Sequence, residues 1–480
     1  MVMPESGAQN MREDIHREFL GLLGWQGEEL ERFLPDWRRT ADYLGLTDGD
    51  VRYAVAEGIP AHWDLTLAGV RKCIAACIRE AAEAAKMGLY RQRGDPVLYS
   101  NMPAAPVCMY ANKLAGGGRL HISHPDFIMA TVLNAFFSKG CGEFSGAPCM
   151  NADCRHCGMN RLRADAGRNG RIAPPTITWN WGLHCNEAPK TEEMLRCIQG
   201  NEWNDVFITI PHDAPLGDRE AEDEDRVDYL ASEIRLGQEQ VTACTGVAVE
   251  QEHLRRAMDE YIAYMRRVEV LTNLVVGADP QPLTGNELTL FGVCMEVSFD
   301  IGFSYIDDAL DTVIEEVRGR IARGEGVLPK GAPKLACDFN PLNVPWVDGA
   351  FRENGVNLTL GRIFQPASSL SDLLGDDDLY RTIARQSLSD PNAVNMRDQV
   401  EIVTKLLRRY TINGVLYGFF AFDRWIGALQ KTAIQIIEAR TNIPHFYLEG
   451  DFWDADRYRP EEKMAVIRSI CNCLKISGIA

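Results

Sequence analysis

Residues 175–195, "PTITWNWGLHCNEAPKTEEML", hold the fold question in one short stretch. The first part is β-branched and aromatic and is bounded by proline and glycine, which reads as a strand. A cysteine, Cys185, stands just past it, and a helix-length segment follows. Three other short β-rich runs flank this one: "DPVLYSN" (95–101), "GRLHIS" (118–123) and "DVFITIP" (205–211). Strands alternating with helix-length segments predict a parallel sheet with crossover helices.

The same alternation returns near the C-terminus. "PKLACDFN" (333–340), "GVNLTLGRIF" (355–364), "INGVLYGFFAF" (412–422) and "IPHFYLEGD" (443–451) read as strands, with "MRDQVEIVTKLLRRY" and "RWIGALQKTAIQIIEAR" as helices between them. Residues 12 to about 92 and about 215 to 330 carry apolar positions at helical spacing. The predicted fold class is therefore α/β. A helical N-terminal region (1–94) precedes a first α/β domain (95–215), a helical connector (216–330) and a second α/β domain (331–480), both domains being flavodoxin- or Rossmann-like. Ligands of such sheets gather at the carboxyl ends of the strands. Cys185, His212, Asp213, Asp423 and Arg424 all follow predicted strand ends.

The chain has 480 residues, 46% hydrophobic and 25% charged, as in globular proteins of more than one domain. No 18-residue apolar span or leader-like start is evident, which predicts a cytoplasmic protein that does not insert in membranes. A net charge of −18 disfavours nucleic-acid partners. The most acidic run, Asp218 to Asp228, reads as a solvated connection.

Fourteen cysteines are spread along the chain, a pattern that fits reduced thiols better than a disulfide framework. Cys73, Cys77, Cys197, Cys244, Cys294 and Cys471 read as core packing. Cys141, Cys149, Cys154 and Cys157 form C-x7-C-x4-C-x2-C, with Cys185 28 residues further on. Short-spaced thiolates suit zinc or an iron–sulfur cluster. A structural zinc would show two close pairs, and only Cys154–Cys157 is present. A redox pair would follow a strand and open a helix, which this stretch does not suggest. Composition leaves a cluster and uninvolved thiols both open.

"CGMNRLRADAG" (157–167) and "HCNEAPKTEEML" (184–195) resemble the two cysteine blocks of the 2-hydroxyacyl-CoA dehydratase/benzoyl-CoA reductase family. The end of the chain, "NGVLYGFFAFDRWIGALQKTAIQIIEARTNIPHFYLEGDFWDADRYRPEEKMAVIRSI", is similar to that family's closing block, and the likeness runs over roughly residues 96–475. The length is closest to the larger dehydratase subunit, the D-component. The resemblance implies a [4Fe–4S] cluster held by three cysteines, of which Cys157 and Cys185 are the first two. The third position of the pattern matches Phe422, which cannot ligate iron. Cys154 is the leading replacement, followed by Cys149 and Cys337. "ISHPDF" (122–127) resembles the segment holding an acid–base carboxylate, which makes Asp126 and the adjacent His124 catalytic candidates. Capping of the following helix is an equal reading of Asp126. The family's upstream P-x-E is replaced, with Val107 and Cys108 in its place.

The resemblance further implies water elimination from a 2-hydroxyacyl-CoA through a ketyl radical. A separate ATP-dependent iron–sulfur activator would start the reaction, and the catalytic partner would be a second homologous subunit or another copy of the chain. The absence of a G-x-x-x-x-G-K-[ST] loop agrees with ATP being handled elsewhere. An aromatic acyl-CoA reductase subunit and a diverged non-catalytic partner subunit are the alternatives.

Overall fold

The computed structural model describes residues 14–101, 105–140, 157–182, 185, 187–211, 219–294, 300–337, 342–359, 378–389, 396–418, 424–451, 453–455 and 458–477. The chain is mostly helical around two four-stranded sheets, each wholly parallel. The first contains β1 (Val97–Ser100), β2 (His121–Ser123), β3 (Ile177–Trp181) and β4 (Asp205–Ile208), in the order β2-β1-β3-β4. The second contains β5 (Lys334–Cys337), β6 (Asn357–Leu358), β7 (Gly414–Tyr417) and β8 (His445–Tyr447), in the order β6-β5-β7-β8. The two orders are the same pattern. In both, the winding reverses between the first and third strands, where parallel sheets open a crevice at their carboxyl ends.

β1 is buried at all four positions, as are β5 and β7, which is why they read as near-continuous apolar runs. The helix Pro125–Phe137, "PDFIMATVLNAFF", is buried on every side, so its sequence shows little amphipathic pattern. It packs against the helix Ala68–Ala84, which also meets the helix Ser304–Arg323. Gly69 permits that second crossing: a Cβ there would stand 2.5 Å from Val313 Cβ. Helices before β1 run from Ile15 to Gln92, and the helices Arg219–Thr245, Gln251–Gly277, Gly285–Val293 and Ser304–Arg323 separate the two sheets in sequence. Among the described residues, no helix is long and apolar enough to cross a membrane.

Two expectations need correction. Most of the acidic run is the start of the 27-residue helix Arg219–Thr245, not a solvated connection. Glu224 accepts hydrogen bonds from Arg381 and from both terminal nitrogens of Arg385, at 2.8, 2.6 and 2.6 Å. Among the cysteines assigned to cores, Cys73, Cys77, Cys294 and Cys471 are buried, whereas Cys197 and Cys244 are exposed. The latter two sit near the carboxyl ends of the helices Glu187–Gln199 and Arg219–Thr245, on outward faces.

Candidate functional site

Cys157 is the N-cap of the helix Gly158–Arg168. Its sulfur accepts from the Asn160 backbone N–H at 3.4 Å and from Asn160 Nδ2 at 3.1 Å. The second cysteine of C-x-x-C thus does open a helix, contrary to the sequence reading; the sulfur fills the role that a serine or aspartate oxygen usually fills. Cys185 repeats the arrangement four residues past β3. Its sulfur accepts from Glu187 N at 3.3 Å and Ala188 N at 3.4 Å, at the start of the helix Glu187–Gln199. Both sulfurs therefore face the positive ends of helices. Lys190, one turn into the second helix, pairs with Glu187 at 3.0 Å.

The two cysteines share one electrostatic neighbourhood. Burial pushes the Cys157 thiol well up, and the nearby charges of Asp451, Cys185 and Glu187 push it further, against the Asn160 N–H. Asp451 comes from the other α/β half, just past β8. It accepts from Gly158 N at 2.7 Å and from Trp453 N at 3.0 Å. Burial, then the charge of Asp454, pushes its carboxyl up to about 7. Arg161, four residues after Cys157, donates to Asp454 at 2.5 Å. Burial and these charges favour the protonated thiol, and a bound thiophilic metal would act in the opposite direction.

Asp126 and His124 come together beneath the same strand ends, with His124 Nε2 3.9 Å from Asp126 Oδ2. Asp126 makes no cap to its helix. Its Oδ1 accepts from Arg163 Nη1 at 2.5 Å, while Arg163 Nε donates to Glu192 at 2.5 Å and Nη1 also reaches the Ser100 carbonyl at 3.2 Å. Trp203 Nε1 donates to the other oxygen of Glu192 at 2.8 Å. Asp126, Arg163 and Glu192 are all fully buried. Arg163 was not legible as a site residue. Its partners lie 37 and 29 residues away, so no local spacing exposes the cluster.

Cys337, the end of β5, is buried. Burial pushes the Tyr458 phenol up, and the charges of Asp451 and Cys337 push it further. Cys154, Cys149, Phe422, His212, Asp213 and Asp423 lie outside the described residues.

The model of the 2-hydroxyglutaryl-CoA dehydratase D-component family matches residues 183–466. The chain belongs to that family. Family membership brings with it a dehydratase system of more than one subunit acting on acyl-CoA. The matched region takes in Cys185, Lys190 and the closing block with Asp451, and begins after Cys157. No curated protein matches the chain.

The donor chemistry can be weighed against the cluster that the family resemblance implies. Two sulfurs, each turned to the N–H groups of a helix end and lying within each other's field, suit an iron–sulfur group, whose thiolates are commonly stabilised by such donors. Among the described residues, no three His, Cys, Asp or Glu side chains gather as a metal-binding set. The fit therefore rests on two thiols.

Proposed function

We propose that this chain is the iron–sulfur subunit of a cytoplasmic 2-hydroxyacyl-CoA dehydratase-like enzyme, with Cys157, Cys185 and Cys154 holding a [4Fe–4S] cluster. The observation that carries the reading is the pairing of Cys157 and Cys185 in one charged neighbourhood, within a chain of the D-component family. When bound, such a cluster supplies a low-potential electron and Lewis acidity.

The rest falls to the protein. The two helix N-termini behind the sulfurs stabilise negative charge on them. Arg163 occupies one oxygen of Asp126, and in this reading the other, Oδ2, facing the buried His124, is the acid–base atom. The guanidinium keeps that carboxylate oriented while Glu192 and Trp203 keep the guanidinium fixed. An ATP-dependent activator protein and a second homologous subunit complete the system in this reading.

Anaerobic purification with iron and sulfide analysis is the test, followed by assay of 2-hydroxyacyl-CoA dehydration with an activator. About four irons per assembled site supports the reading, and an iron-free, sulfide-free protein overturns it. Phe422 favours a second reading, a partner subunit without its own cluster. That form would purify iron-free and co-assemble stably with a cluster-bearing homologue.

A further inference from the structure

We infer that Asp451 and the stretch Trp453–Ala455, contributed by the second α/β half, form a clamp that positions Cys157, with Asp451 as its central positioning residue. The inference rests on the assignment of Cys157 to the cluster. Six contacts carry it. Asp451 Oδ2 takes the first free N–H of the Cys157-capped helix, Gly158 N, at 2.7 Å, and its Oδ1 takes Trp453 N at 3.0 Å. Asp454 holds Arg161 one turn further along the same helix at 2.5 Å. Asn134, from the helix Pro125–Phe137, grips the loop from the far side: its Oδ1 accepts from Ala455 N at 2.9 Å and its Nδ2 donates to the Trp453 carbonyl at 3.3 Å. Trp453 also meets Phe127 edge-on, with ring centroids 5.3 Å apart.

The approach of the loop is close enough to require glycine. A Cβ on Gly158 would lie 2.7 Å from Asp454 Cβ and 2.9 Å from the Trp453 carbonyl oxygen. The φ of Gly158 is not in the left-handed region, so its absent side chain serves the contact and not a turn. The sulfur at the cap of this helix is consequently fixed by residues almost 300 positions later in the chain. A side chain on a helix cap moves with the first turn, so a loosened clamp frees the sulfur that a cluster would need held.

Three variants separate the clamp from its charge. Asp451→Ala removes both hydrogen bonds. Asp451→Asn removes the charge and keeps one acceptor. Gly158→Ala alters no charge and pushes the loop away. In the iron-free chain, site-resolved alkylation of Cys157 by iodoacetamide should rise about tenfold or more in Asp451→Ala and Gly158→Ala, and clearly less in Asp451→Asn. Alkylation of buried Cys108 serves as the control and should not change; a general loss of folding would raise both. Wild-type reactivity in Gly158→Ala, or equal effects of Asn and Ala at 451, overturns the clamp. Anaerobic iron content is read on the same proteins. Iron-free wild type with the alkylation pattern intact would sink the cluster assignment and leave the clamp standing, whereas loaded wild type and an unchanged Gly158→Ala would do the reverse.

Discussion

Past β3, Cys185 sits at a helix start with two backbone N–H groups on its sulfur; at the matching place in the second sheet, past β7, the sequence has Phe422. The sheets share one strand order, yet the sequence past the third strand has a soft donor, Cys185, in one half and phenylalanine in the other. The second half contributes differently, through Asp451 and Asp454, which hold the helix of Cys157 from across the molecule. The difference teaches that a repeated scaffold can divide its labour: one half offers sulfur, and the other offers alignment. Substitutions of the thiols give the largest effect by which to break this comparison. Cys157→Ala and Cys185→Ala should each lose most of the bound iron in anaerobic analysis, while Cys337→Ala, at the end of β5, should keep it. Iron lost equally from Cys337→Ala would show that the second sheet also supplies a ligand.

The next largest effect concerns the ion cluster under the first sheet. Arg163 stands between two buried carboxylates, Asp126 and Glu192, and burial holds the Glu192 carboxyl up while Arg163 opposes that shift. Arg163→Ala would leave both carboxylates without their cation. A loss of about 3–5 kcal/mol of unfolding free energy is expected, the range for breaking one side of a buried ion pair. Urea titration of the iron-free chain measures it, and a loss under about 1 kcal/mol would mean that the ion cluster contributes little to holding its three helices and β1 together.

Much of this fold was legible because its signals are local. The eight strands fall inside the eight β-rich runs, since buried parallel strands need short apolar, β-branched stretches and the chain marks their ends with Gly and Pro. Cys157 and Cys185 stood out through resemblance. What stayed hidden depends on tertiary approach. Arg163 looks like any helical arginine until Asp126 and Glu192 arrive from other elements. Nothing in the sequence marks Asp451 and Gly158 as neighbours, because they come from the two halves of the chain. The exposed Cys197 and Cys244 failed the general tendency of thiols toward burial because helical phase, which composition does not give, decided their direction.

A titration contrasts a carboxyl that resists charge with one that welcomes it. Glu80 is buried against the backbone N–H groups of Asp300 and Ile301, and burial, then the Asp300 charge, raises its pKa to about 8. A folded pKa above the unfolded value means that the native state binds the proton more tightly. The resulting stability is fully present below about pH 4.5 and is lost as pH rises through about 8. Stability should therefore fall between pH 5 and 9 by a few kcal/mol, and Glu80→Gln should flatten that slope. An unchanged slope in the variant would show that Glu80 is not the group responsible.

Glu224 has the opposite sign and the smallest effect. Its hydrogen bonds from Arg385, with Arg381 beside it, hold its carboxyl below the usual range. That contribution is present above the unfolded pKa and is lost as pH falls through the folded one. The group is largely open to solvent, so water and salt weaken the attraction before it can contribute much. Glu224→Gln should cost under about 1 kcal/mol at low ionic strength and almost nothing in molar salt, whereas the cost of Arg163→Ala should persist in salt. A salt-resistant loss above about 2 kcal/mol would mean that the Arg381–Arg385–Glu224 contact is shielded from solvent, and the helices Arg219–Thr245 and Leu379–Ser389 would then be joined as tightly as the elements around Arg163.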